Sequence, residues 1–228
     1  MEQSSNIVTR LERVLSRPRL ASYAQPGGPI EDALCRYLWN TAICESLYPS
    51  FQILEVGFRN SLHREIAKLT TDPRWGTHES AFLYADELDA IRSAKQAIEQ
   101  RAKPLSEDIL VAELRFGFWT SLLDARYETM WHKIIAAVFP HMPRTIRTRR
   151  EASKLMHTVR RLRNAALHHH SIWHWSDLKE QHSQMQTLIG FICDSIELMA
   201  KGIDRFPAIY ASGPQQFNLA ARTILNST

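Results

Sequence analysis

Residues 145–173 read TIRTRREASKLMHTVRRLRNAALHHHSIW. With successive residues about 100° apart around an axis, Leu155, Val159, Leu162 and Ala166 fall in one narrow arc. Arg149, Arg150, Lys154, His157, Arg160, Arg161 and Asn164 fall on the opposite side. The pattern predicts an amphipathic helix over 145–167, with a core stripe and a basic outer face.

The flanking chain repeats at the same spacing. Helices are expected over 5–16, from Ile30 to Tyr48, from Ser50 to Leu69 after a restart at Pro49, and over 84–103. SEDI at 106–109 opens a helix that carries LVAELRFGFWTSLL. Further helices are expected over 125–139 and 176–205. AQPGGP (24–29) and TTDPRWGTHES (70–80) read as turn and loop. The tail after Pro207 looks less regular, with a short helix near 214–225. Windows with strand alternation are few, and glycine is scarce, 8 of 228 residues. The expected fold is all-α: an antiparallel helical bundle with extra N- and C-terminal helices. It forms a single domain over 1–206, followed by a tail over 207–228.

Apolar residues make up 44% of the chain, enough for a core. No apolar run reaches the ~18 residues of a membrane span. The charged N-terminus, with Glu2, Arg10, Glu12 and Arg13, lacks the apolar centre of a signal peptide. Cys35, Cys44 and Cys193 are an odd number without metal spacing, which suits reduced thiols in a cytoplasm. The net charge is only +4, but residues 141–163 hold eight Arg or Lys against one acid, Glu151. Such a segment suits a polyanion, and equally a solvated helix face.

Arg163 stands apart from the outer arginines, because it lies beside the core arc next to Met156. An arginine there meets a partner in a cleft or forms a structural ion pair, since a buried lone charge is costly. Asn164 and His168 are four apart and share a face, so Asn164 is placed to orient the imidazole. Arg163 and His168 lie about 140° apart on a straight helix and do not converge. The helix must break near Leu167, or a second chain must supply the missing partner. Metal-free RNA cleavage needs a base for the 2′-hydroxyl, an acid for the leaving oxygen and positive charge at phosphorus. Histidine and arginine suffice in kind.

LRNAALHH (162–169) resembles the Arg-Asn-x-x-x-His signature of HEPN domains. YLWN (37–40), LEVGFRNSLH (54–63) and ELRFGFWTSLL (113–123) resemble, in order and spacing, the Abi-like (AbiD/AbiF-type) abortive infection proteins of that superfamily. The resemblance covers about residues 10–205. It implies a HEPN-type bundle, a homodimer, and a metal-independent endoribonuclease without cofactor, acting on RNA in bacterial antiphage defence or as a toxin. An antitoxin or small RNA is a further partner, and no membrane is involved. Arg163 and His168 match the signature pair, Asn164 its polar neighbour and His169 the frequent second histidine. Relatives often continue His-His-Glu-Pro, whereas this chain has His170 and Ser171.

Other groups are open to two readings. Glu55, Arg59 and His63 recur every four residues, either as groups that support a nearby cleft or as a structural buried pair. Asn60 and Asn40 are weaker candidates of that kind. Arg149, Arg150, Lys154, Arg160 and Arg161 are candidate RNA contacts. FGFW (116–119) reads as core rather than base-stacking surface, with Gly117 allowing close helix packing. His170 and His174, with Asp177 nearby, form a weak metal candidate, and no metal is expected. Ile172, Trp173 and Trp175 are expected in a dimer interface. The rival to the enzyme is a non-catalytic bundle that uses its basic helix to bind RNA or a partner.

Overall fold

The computed structural model describes residues 2–227, with side chains from residue 7 onward; the Glu2 charge lies outside the described side chains. Among the described residues there are α-helices and short 3₁₀ turns and no strand, so the fold is an all-α bundle. None of the described helices is long and apolar enough to cross a membrane. The helices are α1 Glu2–Leu15, α2 Arg17–Ala21, α3 Ile30–Thr70, α4 Ala85–Gln100, α5 Glu107–Glu113 and α6 Phe116–Ser121. They continue as α7 Glu128–Val138, α8 Arg149–Leu167, α9 Leu178–Ile192, α10 Asp194–Ile203, α11 Phe206–Ser212 and α12 Asn218–Leu225.

The chain divides into two compact units, each built from separated stretches. The first holds the chain up to Pro49, Leu162–His182, and the chain from Ile203 on. The second holds Ser50–Arg161 and Ser183–Gly202.

Pro49 does not restart a helix, as its local signal suggested. It lies inside α3, which runs unbroken for 41 residues. An interior proline costs about 3 kcal/mol through its missing N–H and its ring. Burial on both sides outweighs that cost. Ile43, Leu47, Leu54, Phe58, Leu62 and Ile66 are all fully buried, and each is worth about 1.5–3 kcal/mol.

The expected helix after Ser106 is instead two. Ser106 caps α5, its Oγ accepting from Ile109 N at 3.3 Å, and the chain turns extended at Leu114 and Arg115. A single helix buries one stripe. Phe116, Phe118, Trp119, Thr120, Leu122 and Leu123 are all buried, which no straight continuation of α5 allows. The aromatic cluster is therefore core, as its composition suggested. At Gly117 the close neighbour is a side chain: a Cβ there would stand 3.3 Å from Arg160 Nη2. The expected helix over 176–205 is interrupted only at Cys193, across which the Cys193 N to Ile189 O and Glu197 N to Cys193 O bonds continue.

The C-terminal tail is more regular than its composition suggested. After α11 and the 3₁₀ turn Pro214–Phe217, α12 packs against α1. Phe217, Ala221, Ile224 and Leu225 join Leu20, Leu34 and Cys35 in one apolar cluster. That burial, rather than local propensity, orders the segment.

In the second unit, α4 packs on α5 and α6, and its first turn carries a buried carboxylate. Glu87 accepts from Ser121 Oγ at 2.7 Å, Arg126 Nη2 at 2.6 Å and Tyr127 Oη at 2.6 Å. Burial and the Glu87 carboxylate together push the Tyr127 phenol well above its usual range. All three cysteines are free thiols, and burial pushes Cys44 up to about 11.

Candidate functional site

Helix α8 begins later than its apolar period implied, because Thr148 caps it. Thr148 Oγ1 accepts from Glu151 N at 3.2 Å, and Ala152 N donates to Thr148 O at 3.0 Å. Along its length Ala152, Met156, Val159, Leu162, Ala165 and Ala166 are buried, while Arg150, Lys154, His157 and Arg161 are exposed.

The far end of α8 is a Schellman motif. His168 N makes the last helical bond, to Asn164 O at 2.9 Å. His170 N then reaches back to Ala165 O at 2.8 Å and His169 N to Ala166 O at 3.2 Å. His169 occupies the left-handed position, φ 61°, where glycine is usual. The three imidazoles sit on exposed residues, on a backbone fixed by these bonds. His169→Gly is accordingly expected to stabilise the fold by about 1 kcal/mol, because the β-carbon strain disappears. Urea unfolding followed by circular dichroism checks this, and a variant less stable than wild type contradicts it.

The break at Leu167 therefore does not solve the convergence problem. His168 keeps a helical amide bond, so it keeps its helical offset of about 140° from Arg163. Nor is Asn164 held ready for His168: its Oδ1 accepts from Arg163 Nη1 at 3.2 Å. Arg163 is half-buried, as its place beside the core arc predicted.

Beyond the turn the chain is held by Asn40 of α3, which is only 3% exposed. Asn40 Oδ1 accepts from Ile172 N at 2.8 Å and Trp173 N at 3.1 Å, and its Nδ2 donates to His170 O at 3.3 Å. Trp173 stands beneath the Arg36 guanidinium, 5.7 Å from the ring centroid, and 6.5 Å from the Trp39 ring. Ile172 is fully buried within this chain, so it is not the interface residue expected above. Asn40 Oδ1 holds its amide. Trp173 and Trp175 remain half-buried.

The other candidates lie in the second unit. Arg149 Nε pairs with Glu128 Oε2, and its Nη1 donates to Leu123 O at 2.7 Å. Arg160 Nη1 donates to Thr120 Oγ1 at 3.1 Å. These two arginines thus serve packing contacts, whereas Arg150 and Lys154 present exposed charges with no acidic partner among the described residues. Arg59 Nη1 donates weakly to Ala112 O at 3.4 Å, Asn60 is exposed, and Glu55 is half-buried. His63 does not join Arg59. Its ring lies tilted at 34° against Trp75, centroids 5.6 Å apart, and 3.8 Å from Glu107, and burial lowers its pKa. Among the described residues no three His, Cys, Asp or Glu side chains are grouped to hold a metal ion, His170, His174 and Asp177 included.

No family model matches the chain, and neither a curated protein nor a solved structure matches it.

Proposed function

We propose that the chain is a metal-independent endoribonuclease of the Abi-like HEPN type, acting in the bacterial cytoplasm in antiphage defence or as a toxin. The observation that supports this reading is the histidine turn itself. Three exposed histidines sit on a backbone pinned at His168, His169 and His170, five to seven residues beyond a half-buried Arg163. Schellman bonds finish many ordinary helices; what supports the reading is that this turn mounts imidazoles, which can pass protons, close in sequence to a guanidinium, which can grip phosphate.

In the proposed reaction His168 takes the proton of the ribose 2′-hydroxyl. The freed oxygen attacks the adjacent phosphorus, and His169 protonates the departing 5′-oxygen. Arg163 offers its planar fork to the phosphorane charge. Arg163 and His168 point apart on one helix, so the reading includes a homodimer in which Arg163 of one copy serves His168 of the other. Arg150 and Lys154 supply salt-dependent phosphate affinity. An antitoxin or small RNA would act by covering this turn.

The test incubates purified protein with a mixed RNA pool in EDTA and sequences the ends. Cuts should leave 2′,3′-cyclic phosphates, and DNA of the same sequence should stay intact. Cleavage that requires a divalent ion refutes the mechanism. RNA binding without any cleavage favours a non-catalytic RNA-binding bundle instead.

A further inference from the structure

We infer that Asn40 is the positioning residue of the triple-histidine turn, fixing from α3 the backbone on which His168, His169 and His170 are mounted. The inference rests on the ribonuclease reading above. A helix that merely had to end would be finished by its Schellman bonds. Here the chain is caught again, by a side chain 130 residues away in sequence from His170. The two sets of bonds meet at His170. Its N–H goes to the end of α8 and its carbonyl to Asn40, so the turn is held from both sides.

The amide of Asn40 is used in full. Both lone pairs of Oδ1 receive a backbone N–H, from Ile172 and Trp173. One Nδ2 hydrogen goes to His170 O, and Cys44 Sγ lies 3.8 Å from the same nitrogen. No other residue type of this length both accepts two bonds and donates one. Aspartate keeps the acceptor and loses the donor, and alanine loses both. Arg36, Trp39 and Asn40, at i, i+3 and i+4, present one face of α3 to the turn. Arg36 covers the Trp173 ring, and Trp39 stands beside it. Trp39 Nε1 also donates to Ile209 O at 2.9 Å, which braces this face with α11. None of these contacts uses an imidazole. The mount is rigid and the rings are left for chemistry.

The test compares wild type, Asn40→Ala, Asn40→Asp and, as a control that loosens the same helix without touching the turn, Ile43→Val. Two readouts are taken: amide hydrogen exchange at Ile172 and Trp173, and kcat and KM on an RNA oligonucleotide. In Asn40→Ala, exchange at both amides should quicken at least tenfold. Its kcat should fall about 10²-fold, the cost of a roughly 1 Å misplacement, with KM within twofold. Asn40→Asp should keep amide protection and recover part of kcat, and Ile43→Val should keep both. If Asn40→Ala does not fold, the same ordering of Asn40→Asp between wild type and inactivity decides. Unchanged protection in Asn40→Ala overturns the inference, and so does lost protection with wild-type kcat. A wild-type protein that cuts no RNA overturns the ribonuclease reading and with it the catalytic role of the clamp, while exchange still reports whether the clamp exists.

Discussion

His168→Ala is expected to lower RNA cleavage by about 10²–10⁴-fold, the range of a lost general acid or base, while leaving the fold intact. The structural work of His168 is done by its backbone N–H, which bonds Asn164 O, and alanine keeps that bond. Its side chain is on an exposed residue, so its removal opens no cavity. Arg163→Ala should lose activity on the same scale, and Arg163→Lys should restore little of it, because an ammonium cannot grip phosphate with a fork. Arg150→Ala and Lys154→Ala should behave differently, weakening RNA binding and flattening its salt dependence while cleavage at saturating RNA persists. The check is single-turnover cleavage at saturating RNA, with circular dichroism of each variant. Wild-type cleavage by His168→Ala would remove that residue from the chemistry.

The largest stability effect is expected at Glu87, far from the proposed chemistry in sequence. This carboxylate is 1% exposed and receives three donors. Glu87→Ala strands the Tyr127 hydroxyl, leaves the Ser121 hydroxyl only its bond to Phe118 O at 2.9 Å, and deprives Arg126 of its shortest ion pair, leaving Asp86 at 3.6 Å and Asp124 at 4.0 Å. Breaking a buried pair from one side costs about 3 kcal/mol. For a chain of this size that lowers Tm by about 6–12 °C. Arg126 retains partial solvent access, so the buried Tyr127 hydroxyl carries much of the penalty. Glu87→Gln should cost less, because the amide still fills the site and still accepts. Thermal unfolding at neutral pH checks the order, and a Glu87→Ala protein melting within a degree of wild type contradicts it.

The contrast between α8 and α3 separates what the chain states locally from what it does not. The period of Leu155, Val159, Leu162 and Ala166 located the buried side of α8, with Leu155 only half-buried; of the arginines opposite it Arg150 and Arg161 are exposed, while Arg149 and Arg160 turn to packing contacts. Phe116, Phe118 and Trp119 were readable as core from their composition. The start of α8 was also written locally, in the Thr-x-x-Glu of 148–151, but the apolar period had pointed three residues earlier. These features depend on residues within a turn or two of one another, so spacing alone reveals them.

The sequence by itself thus determined an all-helical chain, a basic helix, and Arg163, Asn164 and His168–His170 gathered at its end. Tertiary structure decided the rest. Burial along both halves of α3 overrode the stop signal of Pro49. Ile172, expected in an interface, is buried within its own chain, with its amide bonded to Asn40 Oδ1. The side-chain amide of Asn40 fixed the histidine turn that α8 alone would have left open on one side. Bonds that close loops of well over a hundred residues leave no periodic trace in the chain, because neither partner's neighbours encode the other.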